Sequence, residues 1–210
     1  MQLKKIIVTA GPTREHLDPV RFLSNPSTGK MGFAVAAAAA KRGYDVTLIA
    51  GPVSLATPPG VKRVDVVSAR EMFAAVKAAA GAPSPETACS ATAAVADWRP
   101  AECAKRKLKK SEMSATLRLV RNPDILKSVK GVRKVGFAAE TGDPGAEAVR
   151  KCREKKLEFI VANDVTAKGC GFGTSTNRVL ILNRDGSMKK LPLMSKRRLA
   201  EKIIDQLEFF

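Results

Sequence analysis

Apolar runs alternate with amphipathic runs along the first part of the chain. Short, β-rich apolar runs occur at "KKIIVTAGPT", "DVTLIAGP" and "VKRVDVV". Between them, residues 29–42 and 69–80 have the composition of helices, and the first of these two runs stops at a glycine. Strands that alternate with helices predict a parallel, doubly wound sheet. We therefore expect an α/β protein with a three-layer, Rossmann-like fold and a mostly parallel sheet.

The alternation continues in the second half of the chain. "KVGFAAET" and "EFIVANDV" predict strands, with a helix over residues 144–156 between them. "NRVLILNRDGSMKKLPLM" predicts a hairpin that turns at its Asp-Gly pair. We expect a closing helix from Ser195 onward.

Three segments are less regular. "TACSATAAVAD" predicts a fourth strand that ends at Asp97, but its small and hydroxyl side chains bury little apolar surface, so we expect a less stable strand or compensating contacts. "NPDILKSVKG" predicts a helix with Asn122 as its N-cap and a proline in the first helical position. Residues 99–121, which we call the basic arm, are strongly basic and interrupt the alternation.

The length and composition fit one globular unit. A chain of 210 residues that is 45% hydrophobic can bury a sizeable core. We expect a single domain over residues 1–210, with the basic arm at about 99–121 and a hairpin at about 172–194. The sequence contains no internal repeat and no linker composition.

Candidate binding residues follow the predicted strand ends. Ligands of a doubly wound sheet bind beyond the carboxyl ends of its strands. Gly11, Asp97 and the loop over residues 24–30 follow such ends, so we expect them to share one edge of the sheet. The first connection, "GPTREHLDPVRFLSNPSTGK", is 20 residues long. Connections of that length inside a domain are usually functional or disordered, and we favour function here.

The Gly29-Lys30 pair does not complete a Walker loop. Position 24 would have to be glycine but is Ser24, and Met31 stands where the motif needs serine or threonine. The loop leads instead into an alanine-rich helix, whose first N–H groups and positive dipole end attract anions. The first turn also lacks a GxGxxG pattern, which gives little support for NAD binding.

The charge balance indicates anionic ligands. Lysine and arginine exceed aspartate and glutamate by 37 − 20 = 17, which attracts phosphates, nucleotides or nucleic acid without choosing among them. A nucleic-acid-binding module would use this surface and would bind with a steep salt dependence. Ten aromatic residues and no recognised motif supply little base stacking. A nucleotide-sugar or dinucleotide enzyme of similar architecture is a second alternative.

Other chemistry finds little support. The four cysteines are far apart, with no CxxC pair and no histidine cluster, so we expect no structural metal and reduced thiols. His16, the single histidine, has no serine or cysteine evidently paired with it and is interpreted as a loop residue. The sequence begins without a signal-peptide pattern and has no apolar run of membrane-spanning length. We expect a cytoplasmic protein.

Six ordered motifs resemble those of one enzyme family. "VTAGPTREHLDPVRFLSNPSTGKMGFAVAAAAAKRG", "AAVADWRP", "KLKK", "NPDIL", "VGFAAET" and "ANDV" have the order and spacing of phosphopantothenate cysteine ligase (phosphopantothenoylcysteine synthetase). The resemblance covers nearly the whole chain. In many bacteria this ligase is the C-terminal half of a bifunctional coenzyme A biosynthesis protein, behind a flavin-dependent decarboxylase. That half is not in this sequence, so we expect no FMN and a possible separate phosphopantothenoylcysteine decarboxylase as a partner.

The resemblance implies a reaction and its substrates. The carboxylate of 4′-phosphopantothenate attacks the α-phosphate of CTP and releases pyrophosphate, and the amine of L-cysteine then displaces CMP from the acyl-cytidylate. Mg²⁺ accompanies the triphosphate, although the resemblance assigns no residues to it. The bacterial character of the motifs favours CTP over ATP. The resemblance also implies a homodimer, for which the segments 99–121 and 172–194 are the candidate arms.

The resemblance assigns roles to particular residues. Asn25 resembles the residue that holds the acyl-cytidylate, and Lys107 the flap lysine that contacts the nucleotide phosphates. From spacing alone, Lys151 and Lys155 share a helix face and are ordinary solvated lysines, but the resemblance makes them phosphate ligands. The implied nucleotide-binding residues are Gly11, Ala91, Thr92, Ala93, Asp97, Asn122, Pro123, Asp124, Ile125, Phe137, Lys151 and Lys155. The implied substrate and intermediate loop is Ser27, Thr28, Gly29 and Lys30.

Overall fold

The computed structural model describes residues 2–112 and 116–210. The strands in this part of the chain are β1 (Lys5–Ala10), β2 (Arg14–His16), β3 (Phe22–Ser24), β4 (Asp45–Ala50), β5 (Val61–Asp65), β6 (Thr87–Ala91), β7 (Trp98–Pro100), β8 (Leu119–Arg121), β9 (Arg133–Glu140), β10 (Phe159–Asp164), β11 (Thr176–Asn183) and β12 (Met188–Ser195). The helices are α1 (Lys30–Lys41), α2 (Ala69–Ala80), α3 (Ile125–Ser128), α4 (Gly145–Lys155) and α5 (Lys196–Phe209), with a short 3-10 turn at Lys110–Glu112.

Eight of these strands form one sheet in the order β12-β11-β10-β9-β6-β1-β4-β5. The six strands from β10 to β5 in this order pair in parallel. Strands β11 and β12 form a hairpin that is added antiparallel to β10. In chain order the parallel strands lie 3-2-1-4-5-6, the arrangement of the Rossmann fold. The predicted α/β architecture is therefore confirmed.

Helices cover both faces of the sheet. Alternate side chains of a strand point to opposite faces, and β1 shows this directly. Ile6 and Val8 pack with α1 and α5 in one core cluster, whereas Ile7 packs with α2, α3 and α4 in the other. The sheet is thus the middle layer of three. None of the helices in the described part of the chain has the length and apolarity needed to cross a membrane.

Helix α1 lies close to the sheet because the side chains that it packs against the sheet are small. Gly32 touches β1, since a Cβ there would lie 2.5 Å from the Cβ of Ala10. The chain enters the helix through Gly29, whose φ of 77° favours glycine. At the other end, Arg42 forms ion pairs with Asp205 and Glu208 near the end of α5. The two helices therefore lie side by side and run in the same direction.

Strand β6 ends earlier than the sequence predicts. It stops at Ala91, and the chain to Asp97 leaves the sheet because nearby groups capture its N–H groups. The hydroxyl of Thr9 accepts from Ala93 N at 3.2 Å, and the carbonyl of Gly11 accepts from Ala94 N at 2.9 Å. The strand itself is buried between β1 and β9. Its lower stability relative to β1 stays a prediction that amide hydrogen exchange would test.

Three further features differ from the sequence prediction or refine it. The N-cap of α3 is Asp124, not Asn122, because the Asp124 carboxylate accepts from Lys127 N while the Asn122 side chain donates to the carbonyl of Ala96. The long first connection contains an unpredicted hairpin, β2 and β3. The C-terminal hairpin has its predicted turn, but it forms the edge of the main sheet and is not a separate arm. Ser195 caps α5, as the predicted closing helix requires.

Candidate functional site

A cavity of about 920 Å³ opens at the carboxyl edge of the sheet. Its walls include Thr9 of β1, Phe137 of β9, Asn163 of β10 and the entrance of α1. It lies where the strand order reverses between β1 and β6, the position at which open α/β sheets bind their ligands. Its volume is within the range of about 300–1,000 Å³ that is usual for ligand pockets.

Most of the residues predicted for the site meet in this cavity. The predicted residues that line it are Asn25, Ser27, Thr28, Gly29, Lys30, Ala91, Thr92, Ala93, Asp97, Asn122, Pro123, Asp124, Ile125, Phe137, Lys151 and Lys155. Two others do not line it. Gly11 lies behind the wall, where its carbonyl holds Ala94 N, and Lys107 lies on the surface of the basic arm.

Two loops form the lip of the cavity, and we call residues 25–32 and 91–97 together the rim. Asn25 joins these two loops. Its side-chain amide donates to the carbonyl of Ala94 at 3.1 Å and to that of Val95 at 3.3 Å. The rim is therefore tied to itself by hydrogen bonds to backbone groups, which fix the Asn25 side chain beside the cavity.

Asn122 joins the rim to the base of the basic arm. Its side-chain N–H group donates to the carbonyl of Ala96 at 2.8 Å, and its backbone N–H group donates to the carbonyl of Asp97 at 2.8 Å. Its amide oxygen accepts from Arg99 at 3.2 Å. These hydrogen bonds occupy the side chain and the backbone N–H group of Asn122, which explains why Asn122 does not cap α3.

The lysines of α4 enter the cavity with carboxylate partners. Lys151 Nζ lies 2.7 Å from Glu140 Oε1 and 3.4 Å from Glu147 Oε1. Lys155 Nζ lies 3.1 Å from Asp124 Oδ2. The Arg150 guanidinium, with help from Lys151, holds the pKa of Glu147 well below its ordinary value. A phosphate entering here would compete with these carboxylates for the two ammonium groups.

A second pair of lysines lines the opposite part of the cavity. Lys30 Nζ donates to the carbonyl of Gly173 at 2.6 Å, and Lys196 Nζ donates to that of Gly171 at 3.0 Å. Lys196 is only 7% exposed. Burial, and then the nearby charge of Lys30, lower the pKa of Lys196. Lys196 is not among the residues predicted from the sequence, although a lysine in the first turn of a helix opposes the helix dipole and is for that reason unusual.

The turn between β2 and β3 holds the basic arm through hydrogen bonds to the backbone of Leu108. Asp18 is fully buried and accepts from Leu108 N at 3.2 Å, while Arg21 Nη2 donates to the Leu108 carbonyl at 2.9 Å. Asp18 and Arg21 also form an ion pair, and hydrogen bonding from Arg21 lowers the pKa of Asp18. Lys107, the predicted flap lysine, is the residue before Leu108 and is exposed to solvent.

The described residues contain no cluster of three or more histidine, cysteine, aspartate or glutamate side chains that could hold a metal ion. Three of the cysteines, Cys89, Cys152 and Cys170, are buried, and Cys103 on the basic arm is exposed. Burial raises the pKa of Cys89 to about 12, which leaves it an inert thiol. The lysines that line the cavity, Lys30, Lys151, Lys155 and Lys196, can neutralise and orient anions.

Comparison with known proteins gives one family. The profile of the DNA/pantothenate metabolism flavoprotein C-terminal domain matches residues 1–209. The coenzyme A biosynthesis bifunctional protein CoaBC of Escherichia coli K12 is 48% identical over 210 residues, which are 96% of this chain and 51% of that protein. CoaBC of Bacillus subtilis 168 is 46% identical, over 97% of this chain and 51% of that protein. The chain spans about half the length of the curated relatives it matches.

Solved structures agree with this result. A crystal structure of the C-terminal domain of CoaBC is 38% identical to this chain and has a TM-score of 0.81. The match covers 100% of this chain and 96% of that one. A Cab2 mutant in complex with phosphopantothenate-cysteine is 17% identical, with a TM-score of 0.77 over 97% of this chain and 85% of that one. At that identity, the likeness shows the fold alone.

Proposed function

This chain belongs to the family of the DNA/pantothenate metabolism flavoprotein C-terminal domain, and on this premise we propose that it is a phosphopantothenate cysteine ligase of coenzyme A biosynthesis. It joins 4′-phosphopantothenate to L-cysteine and uses CTP to activate the acid. The observation that carries this proposal is the gathering of Asn25, Asp97, Lys151 and Lys155 around one cavity at the switch point of the sheet. A Walker-type ATPase or an NAD enzyme would need glycine patterns that the chain lacks.

The proposed reaction has two steps. A carboxylate oxygen of 4′-phosphopantothenate attacks the α-phosphorus of CTP, and the bond to the bridging oxygen breaks to release pyrophosphate. The amine of cysteine then attacks the acyl carbon, loses a proton, and displaces CMP to leave the amide. A carboxylate and a triphosphate repel each other, so cations and N–H donors have to neutralise them before the attack. The lysines of the cavity are suited to this task.

The residue roles follow from position and chemistry. Asn25 releases one of its two hydrogen bonds, to the carbonyl of Ala94 or of Val95, and donates that N–H group to the oxygen that becomes negative when cysteine attacks, without adding a titrating charge. Lys151 and Lys155 exchange their carboxylate partners for phosphate oxygens. Lys107 reaches the nucleotide when the basic arm moves over the cavity. The remaining proposed nucleotide contacts are Gly11, Ala91, Thr92, Ala93, Asp97, Asn122, Pro123, Asp124, Ile125 and Phe137.

Mg²⁺ enters this proposal with the nucleotide. Mg²⁺ prefers phosphate and water oxygens with one or two carboxylates, and the carboxylate residues Asp97 and Asp124 line the cavity. When bound, it would neutralise part of the triphosphate charge. We further propose that residues 1–210 form one ligase domain that acts as a homodimer in the cytoplasm. The cysteines of the described chain, all free, agree with a reducing compartment.

The test is pyrophosphate release by the purified protein. The assay contains Mg²⁺, 4′-phosphopantothenate and either CTP or ATP, each with and without cysteine. We expect sustained release only with CTP and cysteine together, and formation of the amide product by mass spectrometry. Absence of release with either nucleotide would overturn the proposal. Tight, salt-dependent binding of nucleic acid in that case would favour the alternative use of the basic surface.

A further inference from the structure

Lys30 and Lys196 differ from the other lysines of the cavity in how they are held. Lys151 and Lys155 each have a carboxylate partner. Among the described residues, no carboxylate lies within 4.0 Å of the Lys196 ammonium, which instead donates to the carbonyl of Gly171. A buried ammonium group without a counter-ion is costly. Its retention in a cavity wall indicates an anion that binds there.

Helix geometry adds to the positive charge at this place. Lys30 and Lys196 are the first residues of α1 and α5, which have 12 and 14 residues. Because both helices run in the same direction, their positive dipole ends lie at the same edge of the molecule. Neither helix has an acidic residue in its first turn to offset that charge. Two lysines in these positions oppose both dipoles, and a bound anion would offset the combined positive charge.

The loop between β10 and β11 completes the arrangement. The carbonyls of Gly171 and Gly173 accept from the two ammonium groups, and the φ values of these glycines, 94° and 80°, favour glycine. A Cβ on Gly171 would lie 2.8 Å from the carbonyl oxygen of Val165. The loop thus holds both lysines by neutral acceptors, so these contacts add no negative charge to offset an ammonium group.

We propose that Lys30 and Lys196 form a phosphate-binding subsite, distinct from the α4 lysines, with Lys196 as its buried anchor. Each ammonium group has three hydrogens to donate. It can therefore donate one hydrogen bond to a phosphate oxygen and keep the one to its loop carbonyl. The phosphate belongs to one of two compounds: the triphosphate of the nucleotide or the monoester of 4′-phosphopantothenate. The choice of compounds rests on the proposed function, but the anion site itself does not.

The experiment measures binding without turnover. Isothermal titration calorimetry is run with magnesium pyrophosphate, CTP and 4′-phosphopantothenate as separate probes. The variants are Lys196→Met, which removes the charge and keeps the length, and Lys196→Arg, which keeps a charge. Lys202→Met is the matched control, because Lys202 lies on the same helix but is exposed and pairs only with Asp205 among the contacts of the described chain. Lys30→Met tests the exposed partner, where loss of the side chain does not disturb the core.

We expect Lys196→Met and Lys30→Met to weaken at least one probe by about tenfold to a hundredfold, since each loses a charge-assisted hydrogen bond. Lys196→Arg should recover part of the loss and Lys202→Met should match the wild type. Weaker CTP and pyrophosphate with unchanged 4′-phosphopantothenate would assign the triphosphate, and the reverse would assign the monoester. Unchanged binding of all three probes by both methionine variants would overturn the subsite. A protein that binds pyrophosphate through these lysines but makes no amide would instead refute the proposed function alone.

Discussion

The rim and the basic arm flank the same cavity but are held in different ways. The rim is part of the fold: Asn25 donates to two backbone carbonyls of the facing loop, and Gly11 and Thr9 accept N–H groups from it. The arm is hydrogen-bonded to the turn between β2 and β3 through Leu108 and Ala104, the β7–β8 ladder pairs the two ends of the arm with each other, and the lysines of the arm are exposed.

This difference has a consequence for the chemistry. Groups that must be in place before substrate arrives can sit on the rim, because its geometry does not depend on a ligand. An exposed lysine on the arm that does not line the cavity, such as Lys107, can act only if the arm moves, which allows substrates to enter first. We therefore assign the holding of the intermediate to the rim and the closing of the site to the arm.

The largest expected effect comes from forcing α1, whose first turn belongs to the rim, away from β1. In Gly32→Val the new side chain meets Ala10 and the carbonyl of Thr9, 2.5 and 2.9 Å from its Cβ. We expect a loss of about 3 kcal/mol in the free energy of unfolding, measured by urea denaturation. Ala37→Val, on the exposed side of the same helix, should cost only about 0.5 kcal/mol. Equal midpoints for the two variants would show that the close approach of α1 does not matter.

Asn25→Asp tests the rim without unfolding it. An aspartate cannot donate to the carbonyls of Ala94 and Val95, and it places a negative charge beside the developing oxyanion. We expect amide formation to fall about 100-fold, while some acyl-cytidylate still forms. Rapid-quench separation of the two products measures this. Asn183→Asp, in the distant hairpin, is the control, and wild-type turnover by Asn25→Asp would remove Asn25 from the mechanism.

Lys107→Gln tests the arm. Loss of one ammonium contact to the nucleotide should slow activation about tenfold and leave the stability unchanged, because Lys107 is exposed. Single-turnover pyrophosphate release is the measurement. Lys105→Gln, two residues earlier and also exposed, should have a much smaller effect. Normal activation by Lys107→Gln would refute its role as a flap lysine.

Asp18→Asn should have the smallest effect, because it loosens the arm without touching the cavity. The variant loses the ion pair with Arg21, and we expect several-fold faster amide exchange over residues 104–108. A fluorophore on the exposed Cys103 should show the same change in anisotropy. Asp65→Asn, a surface ion-pair variant, is the control. Unchanged exchange would show that Asp18 does not anchor the arm.

The pH dependence of the arm follows from the same ion pair. Since the pKa of Asp18 is lowered in the folded protein, its stabilising contribution is complete above the unfolded value of about 3.9 and is lost as the pH falls below it. Protection of residues 104–108 should therefore be equal at pH 7 and pH 5 once intrinsic exchange rates are corrected for. A loss of protection already at pH 5 would point to another titrating group.

The sequence predicts the fold and the rim because both depend on local pattern. Alternating apolar runs determine the order of strands and helices, and parallel topology then brings the loop that contains Asn25 and Asp97 to one edge, whereas only the family resemblance places Asn122 there. The helix α2 has its predicted bounds, Ala69–Ala80. These features need no knowledge of distant contacts.

The missed features depend on contacts between distant residues. The early end of β6 results from the capture of Ala93 and Ala94 by β1 and the residue after it, and the N-cap of α3 changes because Ala96 holds Asn122. Lys196 joins the cavity only because α5 packs beside α1. A local sequence pattern does not show these contacts between distant residues. The one local sign is Lys196 itself, because a lysine at the start of a helix is unfavourable.

The two ends of the main sheet also bear on how the protein behaves at high concentration. The outer strand β12 exposes Lys189 and Lys190, contains Pro192, which has no N–H to donate, and is bulged next to it. The opposite outer strand, β5, carries Lys62 and Arg63. Such edges are poor templates for strand addition and so resist amyloid-like aggregation. Assembly of this chain by adding strands to the ends of its sheet is therefore disfavoured.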